Sequence, residues 1–369
     1  RNVDYEAVFG VDVVSLIPQK GLQYIKNIIE LINGLGPESF SADFLGSMFH
    51  SVIPPEVRKP LATFYTNQGA AALLAALTIE ESTDRVADFA CGSGTLILAA
   101  YDRKVMLLRG TITQREHKKF LEDDLTGIDV MLFASHLAAV QLALKQPTYL
   151  SNMVRIGVED SLMVQPQDII EPYQREIPKG QLKLHQFENL SKWKSRGAVG
   201  KRNVGMRFKV GKVDVVLRNP PFTRKQRIPS EYRAELRKHL SAYEKWMDES
   251  SSFWAYFIFL ADRFLSSGGR LGFVLPVAIL RQMTYSALRQ FINDKYAVEY
   301  VIVGGFRCNF SENTSFRECL VVLEKSKDAD SAKDAKFVFL RSEPTISNTD
   351  AILKGVMAKS SNETADIRT

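Results

Sequence analysis

Three cysteines, Cys91, Cys308 and Cys319, are all that 369 residues contain. They form no CxxC pair and have no matching histidine spacing, so neither a disulfide framework nor a zinc site is expected, and a reducing cytoplasm fits best. Long apolar runs are also lacking: the longest, around 253–260, is cut by Asp262 and Arg263 well short of the roughly 20 residues that span a bilayer, so no membrane partner is expected. Nothing near Arg1 has the charged, apolar and small-residue order of a secretory signal, and a chain opening on arginine is expected to be a segment of a longer polypeptide. Internal repeats and low-complexity tracts are absent, which excludes solenoid and fibrous classes.

What is present is a modest basic excess, a net charge of +6 with pI near 9.0. Its distribution says more than its total. Lysine and arginine concentrate at 192–212 and again at 224–238, where acidic residues are few. Two readings stand: contact with a polyanion, or a solvated basic loop.

Residues 22–35 carry helical periodicity and stop at Gly34, Gly36 and Pro37; a second apolar segment at 44–53 stops at Pro54 and Pro55. These predict a small helical subdomain over 1–60. From about 61 the pattern changes to short strand-like runs at 85–89, 125–129, 153–158, 213–217, 271–275, 298–303 and 320–324, alternating with helical stretches. That alternation predicts an α/β domain over 61–330, a doubly wound and mostly parallel sheet. Residues 103–124 read as one extra amphipathic helix and 165–212 as a long basic insertion. The tail, 331–369, reads as linker-like apart from the apolar 337–340, or as the start of a further region.

Three acidic sites follow strands. Asp88-Phe89-Ala90-Cys91-Gly92-Ser93-Gly94-Thr95 ends a strand and opens a helix, a turn whose glycines and free N–H groups admit an anionic or nucleotide-like ligand. By itself such a turn fits NAD, FAD and S-adenosylmethionine alike. Asp129 stands where a carboxylate can bind ribose hydroxyls, or cap a helix. Asp160, before Ser161 and Leu162, can accept from an adenine amino group, or serve as an N-cap.

The most specific pattern is Asn219-Pro220-Pro221-Phe222 at the end of an apolar strand. The prolines stiffen the turn and leave carbonyls without competing N–H groups. An aromatic exocyclic amine is a poor nucleophile because its lone pair is delocalised. Two acceptors, the Asn219 side-chain oxygen and the Pro220 carbonyl, can take its hydrogens and favour a pyramidal nitrogen. Phe222 can stack on an extruded base.

In this order, residues 88–96, Gly127-Ile128-Asp129, Glu159-Asp160-Ser161-Leu162 and Asn219 to Phe222 resemble the amino-methylating DNA methyltransferases with an N-P-P-[FYW] motif. Leu61-Ala62-Thr63-Phe64-Tyr65-Thr66-Asn67 is similar to that family's F-Y-T-P cofactor motif, with Asn67 in place of proline. The stretches 253–280 and 306–325 are similar to the segments that finish its sheet and line its base pocket. The likeness spans about 53–325 and is greatest to modification subunits of type I restriction systems and to fused type II enzymes.

The resemblance implies a Rossmann-like S-adenosylmethionine-dependent methyltransferase that flips an adenine out of double-stranded DNA and methylates its N6. It implies Asn219, Pro220, Pro221 and Phe222 as catalytic residues. Tyr65, Thr66, Asp88, Phe89, Ala90, Gly92, Ser93, Gly94, Asp129, Asp160, Ser161 and Asn219 would hold S-adenosylmethionine, with no metal. Arg218, Arg224, Lys225 and Arg227 would contact DNA, although Arg218 reads equally as a solvent-facing strand end. No target-recognition domain fits between Asp160 and Asn219, so a specificity subunit or a further C-terminal domain is expected, and a restriction subunit is a possible partner. Rival readings are methylation of a protein glutamine or RNA adenine, a non-catalytic assembly subunit, and a nicotinamide dehydrogenase, in which the Asn-Pro-Pro-Phe turn has no role.

Overall fold

A computed structural model describes residues 65–358, apart from 147, 150, 152, 171–196, 199–206, 224–227, 249–251, 306–307, 313, 315 and 327–333. It also describes six positions between 23 and 34, all helical, and the pair Ile367–Arg368. Apart from those six positions, the expected helical subdomain lies outside the described residues, as do most of the basic insertion and the three cations Arg224, Lys225 and Arg227.

Helix α1 (Gln68–Thr78) leads into β1 (Val86–Asp88), α2 (Thr95–Leu107), α3 (Gln114–Lys119), β2 (Leu125–Asp129), α4 (Leu132–Leu144) and β3 (Ile156–Val158). After the short pieces β4 (Ile169–Ile170), β5 (Gly197–Ala198) and β6 (Phe208–Lys209), the chain crosses back as β7 (Val213–Arg218). Then come α5 (Ser230–His239), α6 (Phe253–Phe264), β8 (Leu265–Pro276), α7 (Ala278–Arg281), α8 (Ser286–Lys295), β9 (Tyr296–Gly304), β10 (Glu318–Lys325), β11 (Lys336–Leu340), α9 (Thr349–Met357) and β12 (Ile367–Arg368).

Ten strands form one sheet in the order β12-β11-β9-β10-β8-β7-β1-β2-β3-β5. The centre, β3-β2-β1-β7-β8, is parallel, and β10 runs antiparallel between β8 and β9. This is the expected doubly wound, mostly parallel sheet. Strands β1 and β7 are covered on both faces and therefore read as near-continuous apolar runs. The chain leaves β1 in one direction through β2 and β3 and returns to its other side as β7. In open sheets of this kind the crevice that takes a ligand lies at such a reversal, which here is outside the carboxyl ends of β1, β2 and β7.

Two expectations are corrected. Residues 103–124 are not one helix: α2 ends at Leu107, and Arg109 and Gly110 take positive φ of 61° and 78°. Thr113 and Glu116 then form a reciprocal capping box that starts α3, and a π-helical turn, Phe120–Asp124, delivers β2. The tail read as linker-like apart from 337–340 supplies β11 at that apolar run, parallel to β9, and beyond it α9, which packs on α1. Gly69 permits that packing, because a Cβ there would collide with the Pro344 backbone.

The ends of the 165–212 insertion meet where β4 pairs with β6. Among the described residues no helix is long and apolar enough to cross a membrane, and no acidic, histidine or cysteine cluster is arranged to hold a metal.

Candidate functional site

The glycine turn is held from several sides. Asp88 Oδ1 accepts from Ala90 N at 3.0 Å, Cys91 N donates to the Ile128 carbonyl at 3.1 Å, and Gln141 Nε2 donates to the Ser93 carbonyl at 2.7 Å. Gly94 takes φ 97°, where a Cβ would lie 2.9 Å from that of Ala138, so glycine is needed both for the backbone angle and for helix packing. Asp129, at the end of β2, uses one oxygen to accept from Gly92 N at 2.9 Å and the other from Met131 N at 2.8 Å. It therefore shapes the glycine turn and the entry to α4 with the same carboxylate that faces the crevice.

Asp160 caps the 3-10 turn Ser161–Met163 through Leu162 N at 3.1 Å, the N-cap reading of the sequence. Its second oxygen accepts from Tyr232 Oη, on α5, at 2.6 Å. Ser161 is buried and donates to the Phe89 carbonyl at 2.5 Å, so its hydroxyl braces the turn from behind.

Asn219 leaves β7 at the lip of the crevice, half-buried, with Pro220 and Phe222 buried below it. Its Nδ2 donates to Thr66 Oγ1 at 3.1 Å and to Ser311 Oγ at 2.9 Å. Thr66 and Ser311 are themselves joined by an isolated antiparallel bridge, flanked by Asn67 N donating to the Phe310 carbonyl at 2.8 Å and Glu312 N to the Tyr65 carbonyl at 2.7 Å. Three segments distant in sequence thus converge on one amide. Phe222 packs edge to face on Phe316, with centroids 5.7 Å apart.

Arg218 corrects both readings of its sequence position. It is fully buried, donates from Nη2 to the Phe89 carbonyl at 2.5 Å, and lies 3.9 Å from the centroid of the Phe257 ring. A side chain so enclosed reaches neither solvent nor a phosphate. Burial lowers the pKa of its guanidinium and raises that of Asp88, and the attraction between the two opposes both shifts. Burial likewise raises Asp129 and Asp160, against hydrogen bonds from Met131 and Gly92 to the former and from Tyr232 and Leu162 to the latter.

The side chains fit a nucleoside-like cofactor. Ala90, Gly92, Asp129, Asp160 and Asn219 keep partial exposure in an arc across the ends of β1, β2, β3 and β7, while Asp88, Phe89, Ser93 and Ser161 are buried behind them. A Cβ built on Gly92 would meet nothing within 4 Å, so the turn faces open space. Two carboxylates beside a glycine turn suit ribose hydroxyls and an amino-acid head rather than a metal.

Ser311, Glu318, Tyr232 and Gln141 went unnamed at the level of sequence. Only Ser311 and Glu318 carried a signal, as polar residues inside the 306–325 stretch already assigned to the pocket.

The fold is shared with solved structures. A modification subunit of a putative type I restriction enzyme from Vibrio vulnificus is 16% identical with TM-score 0.53, over 93% of this chain and 63% of that one. A putative class I S-adenosylmethionine-dependent methyltransferase from Listeria monocytogenes is 19% identical with TM-score 0.52, over 86% and 79%. The DrdV–DNA complex gives 15% and 0.58 over 93% of this chain and 34% of that one. The chain thus spans under two thirds of the Vibrio subunit and about a third of DrdV. No curated protein sequence matches it significantly. The sequence profile of the Eco57I restriction-modification methylase family matches residues 123–308, 186 of 369 positions, a span that holds Asp129, Asp160 and the Asn219 turn. The chain belongs to the Eco57I restriction-modification methylase family.

Proposed function

We propose that this chain is the catalytic core of a cytoplasmic DNA methyltransferase that uses S-adenosylmethionine to methylate N6 of an adenine extruded from the duplex. The observation that carries the reading is the state of the Asn219 amide: with Nδ2 engaged by Thr66 and Ser311, Oδ1 is left as an acceptor beside the crevice. When bound, S-adenosylmethionine supplies an electrophilic methyl group. Asp129 and Asp160, on adjacent strand ends, orient its nucleoside, and the 88–94 turn holds its amino-acid end.

Asn219 Oδ1 and the Pro220 carbonyl accept the two hydrogens of the substrate amine and draw its lone pair out of the ring. Their rigidity matters because a turn already fixed by two prolines and two inter-segment hydrogen bonds needs no reorganisation during transfer. Phe222, Pro220 and Pro221 build an apolar wall that keeps water from the amine. Arg224, Lys225 and Arg227 follow the turn directly and are assigned to phosphate contacts that hold the duplex as the base leaves it. Sequence recognition falls to a specificity subunit or a further domain, and a restriction subunit completes the system.

Mass spectrometry of nucleosides tests this, using DNA from a methylation-deficient host that expresses the full-length gene with its neighbours. N6-methyladenine that disappears with Asn219→Ala supports the reading. A purified protein that binds the cofactor while its host's DNA stays unmodified points to a protein or RNA acceptor.

A further inference from the structure

We propose that Glu318 is a positioning residue for Asn219: by taking the Ser311 hydroxyl proton it makes Ser311 an acceptor, and so fixes which end of the Asn219 amide meets the substrate. The inference rests on the functional reading above, since it concerns how that amide is presented.

A side-chain amide has two ends of opposite hydrogen-bonding character and nearly the same shape. Sterics barely distinguish them, so its neighbours' donors and acceptors must. Here both neighbours are hydroxyls, and a hydroxyl donates as readily as it accepts. Left alone, Ser311 and Thr66 would serve either orientation, and an inverted amide would offer the substrate amine an N–H group instead of an oxygen.

Glu318 removes the ambiguity. It is the first residue of β10, buried at 3% exposure, and paired with Pro276 on β8. Its Oε2 accepts from Phe310 N at 3.1 Å and Ser311 N at 2.9 Å, which folds the 308–312 loop around the carboxyl. Its Oε1 is buried with no hydrogen-bond partner. Burial raises the pKa of this carboxyl to about 7, and the Ser311 side chain and those two N–H groups oppose that rise by favouring the ionised form. Once ionised, as pH rises through that value, the carboxyl only accepts. With its proton turned toward Glu318, Ser311 Oγ presents lone pairs to Asn219 Nδ2 at 2.9 Å. Polarity then runs one way, from the Asn219 amide through Ser311 to Glu318, and Oδ1 faces out.

Glu318 has no cationic partner among the described residues, touches no metal cluster, and sits one step behind the residue that meets the substrate. A loop brace alone would be served by any acceptor at Oε2.

Glu318→Gln tests this, because it keeps the shape and replaces one acceptor by a donor. The glutamine carbonyl still takes the Phe310 and Ser311 N–H groups, while its NH2 turns the Ser311 proton toward Asn219. With the full-length protein and its partners on unmethylated DNA, kcat is expected to fall roughly 10- to 100-fold, the usual cost of losing a group that orients a reacting one. KM for DNA and affinity for S-adenosylhomocysteine should hold within about twofold. Ser311→Ala, which removes only a hydroxyl, should lower kcat by itself, and adding Glu318→Gln to it should cost nothing further. Additive losses would show that Glu318 acts through the loop fold and would overturn the proposal.

A second readout does not depend on the acceptor being DNA. In amide NMR of the full chain, the Asn219 side-chain NH2 signals, identified by their loss in Asn219→Asp, should be protected from solvent exchange and lose that protection in Glu318→Gln. Unchanged shifts and protection would overturn the positioning role even if the wild type methylates adenine. A wild type that methylates no DNA, with the signals responding as expected, would sink only the functional reading.

Discussion

Arg218 Nη2 and the Phe89 carbonyl meet at 2.5 Å across 129 positions of sequence, joining the strand that presents the Asn-Pro-Pro-Phe turn to the turn assigned to the cofactor. The contact makes an arginine part of the interior wall between two halves of the site, where the charge of Asp88 is its nearest compensation. Replacing Arg218 by Met should therefore act on the cofactor side. Affinity for S-adenosylhomocysteine should drop several-fold as Asp88 loses its counter-charge and the Phe89 carbonyl loses a donor. The dependence of DNA binding on salt should keep its slope. Loss of about one from that slope, the signature of a missing phosphate contact, would mean that Arg218 reaches DNA after all.

Much of this architecture was legible in advance because it depends on local chemistry. Each run of β-branched and aliphatic residues bounded by Gly, Pro or Asp became a strand, from Leu125–Asp129 with its bounds unchanged to Leu265–Pro276, which began six residues earlier than its apolar core. Arg218 was misread because an arginine at a strand end is usually exposed, and its burial depends on Phe257 from a later helix and Asp88 from an earlier strand. The break inside 103–124 had a local sign, the Thr113-x-x-Glu116 capping box, which the apolar periodicity around it obscured. In the tail only the apolar 337–340, now β11, stood out; α9 could not be read, since it is defined by what it packs on, α1.

Asn219 and Asp129 should separate chemistry from binding. Asn219→Ala is expected to abolish transfer with little change in S-adenosylhomocysteine affinity, because the acceptor it removes serves only the amine. Asp129→Ala should weaken that affinity by about 1.5 to 3 kcal/mol, the worth of charge-assisted hydrogen bonds. It should also lower the melting temperature, since Gly92 N and Met131 N lose their shared acceptor. Calorimetry of both variants would refute the assignment if the two affinities changed together.

Tyr232 ties α5, which follows the Asn-Pro-Pro-Phe turn, to the acid just after β3. Its hydroxyl donates to Asp160 at 2.6 Å, a short bond to a carboxylate whose pKa burial has already raised. Tyr232→Phe should free that oxygen, raise the Asp160 pKa further and weaken S-adenosylhomocysteine binding about threefold to tenfold, more so at lower pH. A titration of affinity against pH that overlays the wild type would remove Tyr232 from the site.

Glu318 should reveal itself in stability as well as rate. Burial without a counter-charge pushes its carboxyl from 4.5 up to about 7. Between those values the folded protein holds a proton that the unfolded chain has released, so stability falls as pH rises through the window. Glu318→Gln is neutral throughout and escapes that loss. The variant should melt with the wild type near pH 4.5 and above it at pH 8, by an amount on the order of 3 kcal/mol. A more stable, less active enzyme is what a strained positioning group predicts. Equal melting curves at both pH values would deny that the carboxyl ionises there.

Asn67 occupies the position where related methyltransferases usually have proline, and it has taken over more than the turn. Its φ of −59° already suits proline. However, its Oδ1 caps α1 through Gly69 N at 2.8 Å and Ala70 N at 3.3 Å, its Nδ2 donates to Glu343 at 2.9 Å, and its backbone N–H reaches the Phe310 carbonyl. The residue thus links the cofactor loop to the tail that folds against α1. Asn67→Pro should fit sterically yet destabilise the protein by about 1 to 2 kcal/mol, chiefly from the lost cap. It also removes the N–H bond beside the Thr66–Ser311 bridge, so kcat should fall along with the melting temperature. Asn67→Asp keeps the cap acceptor and that N–H and should preserve kcat, losing only the Glu343 contact. An Asn67→Pro variant as stable and active as the wild type would show that the family's proline and this asparagine are interchangeable, and that the tail is held by α9 alone.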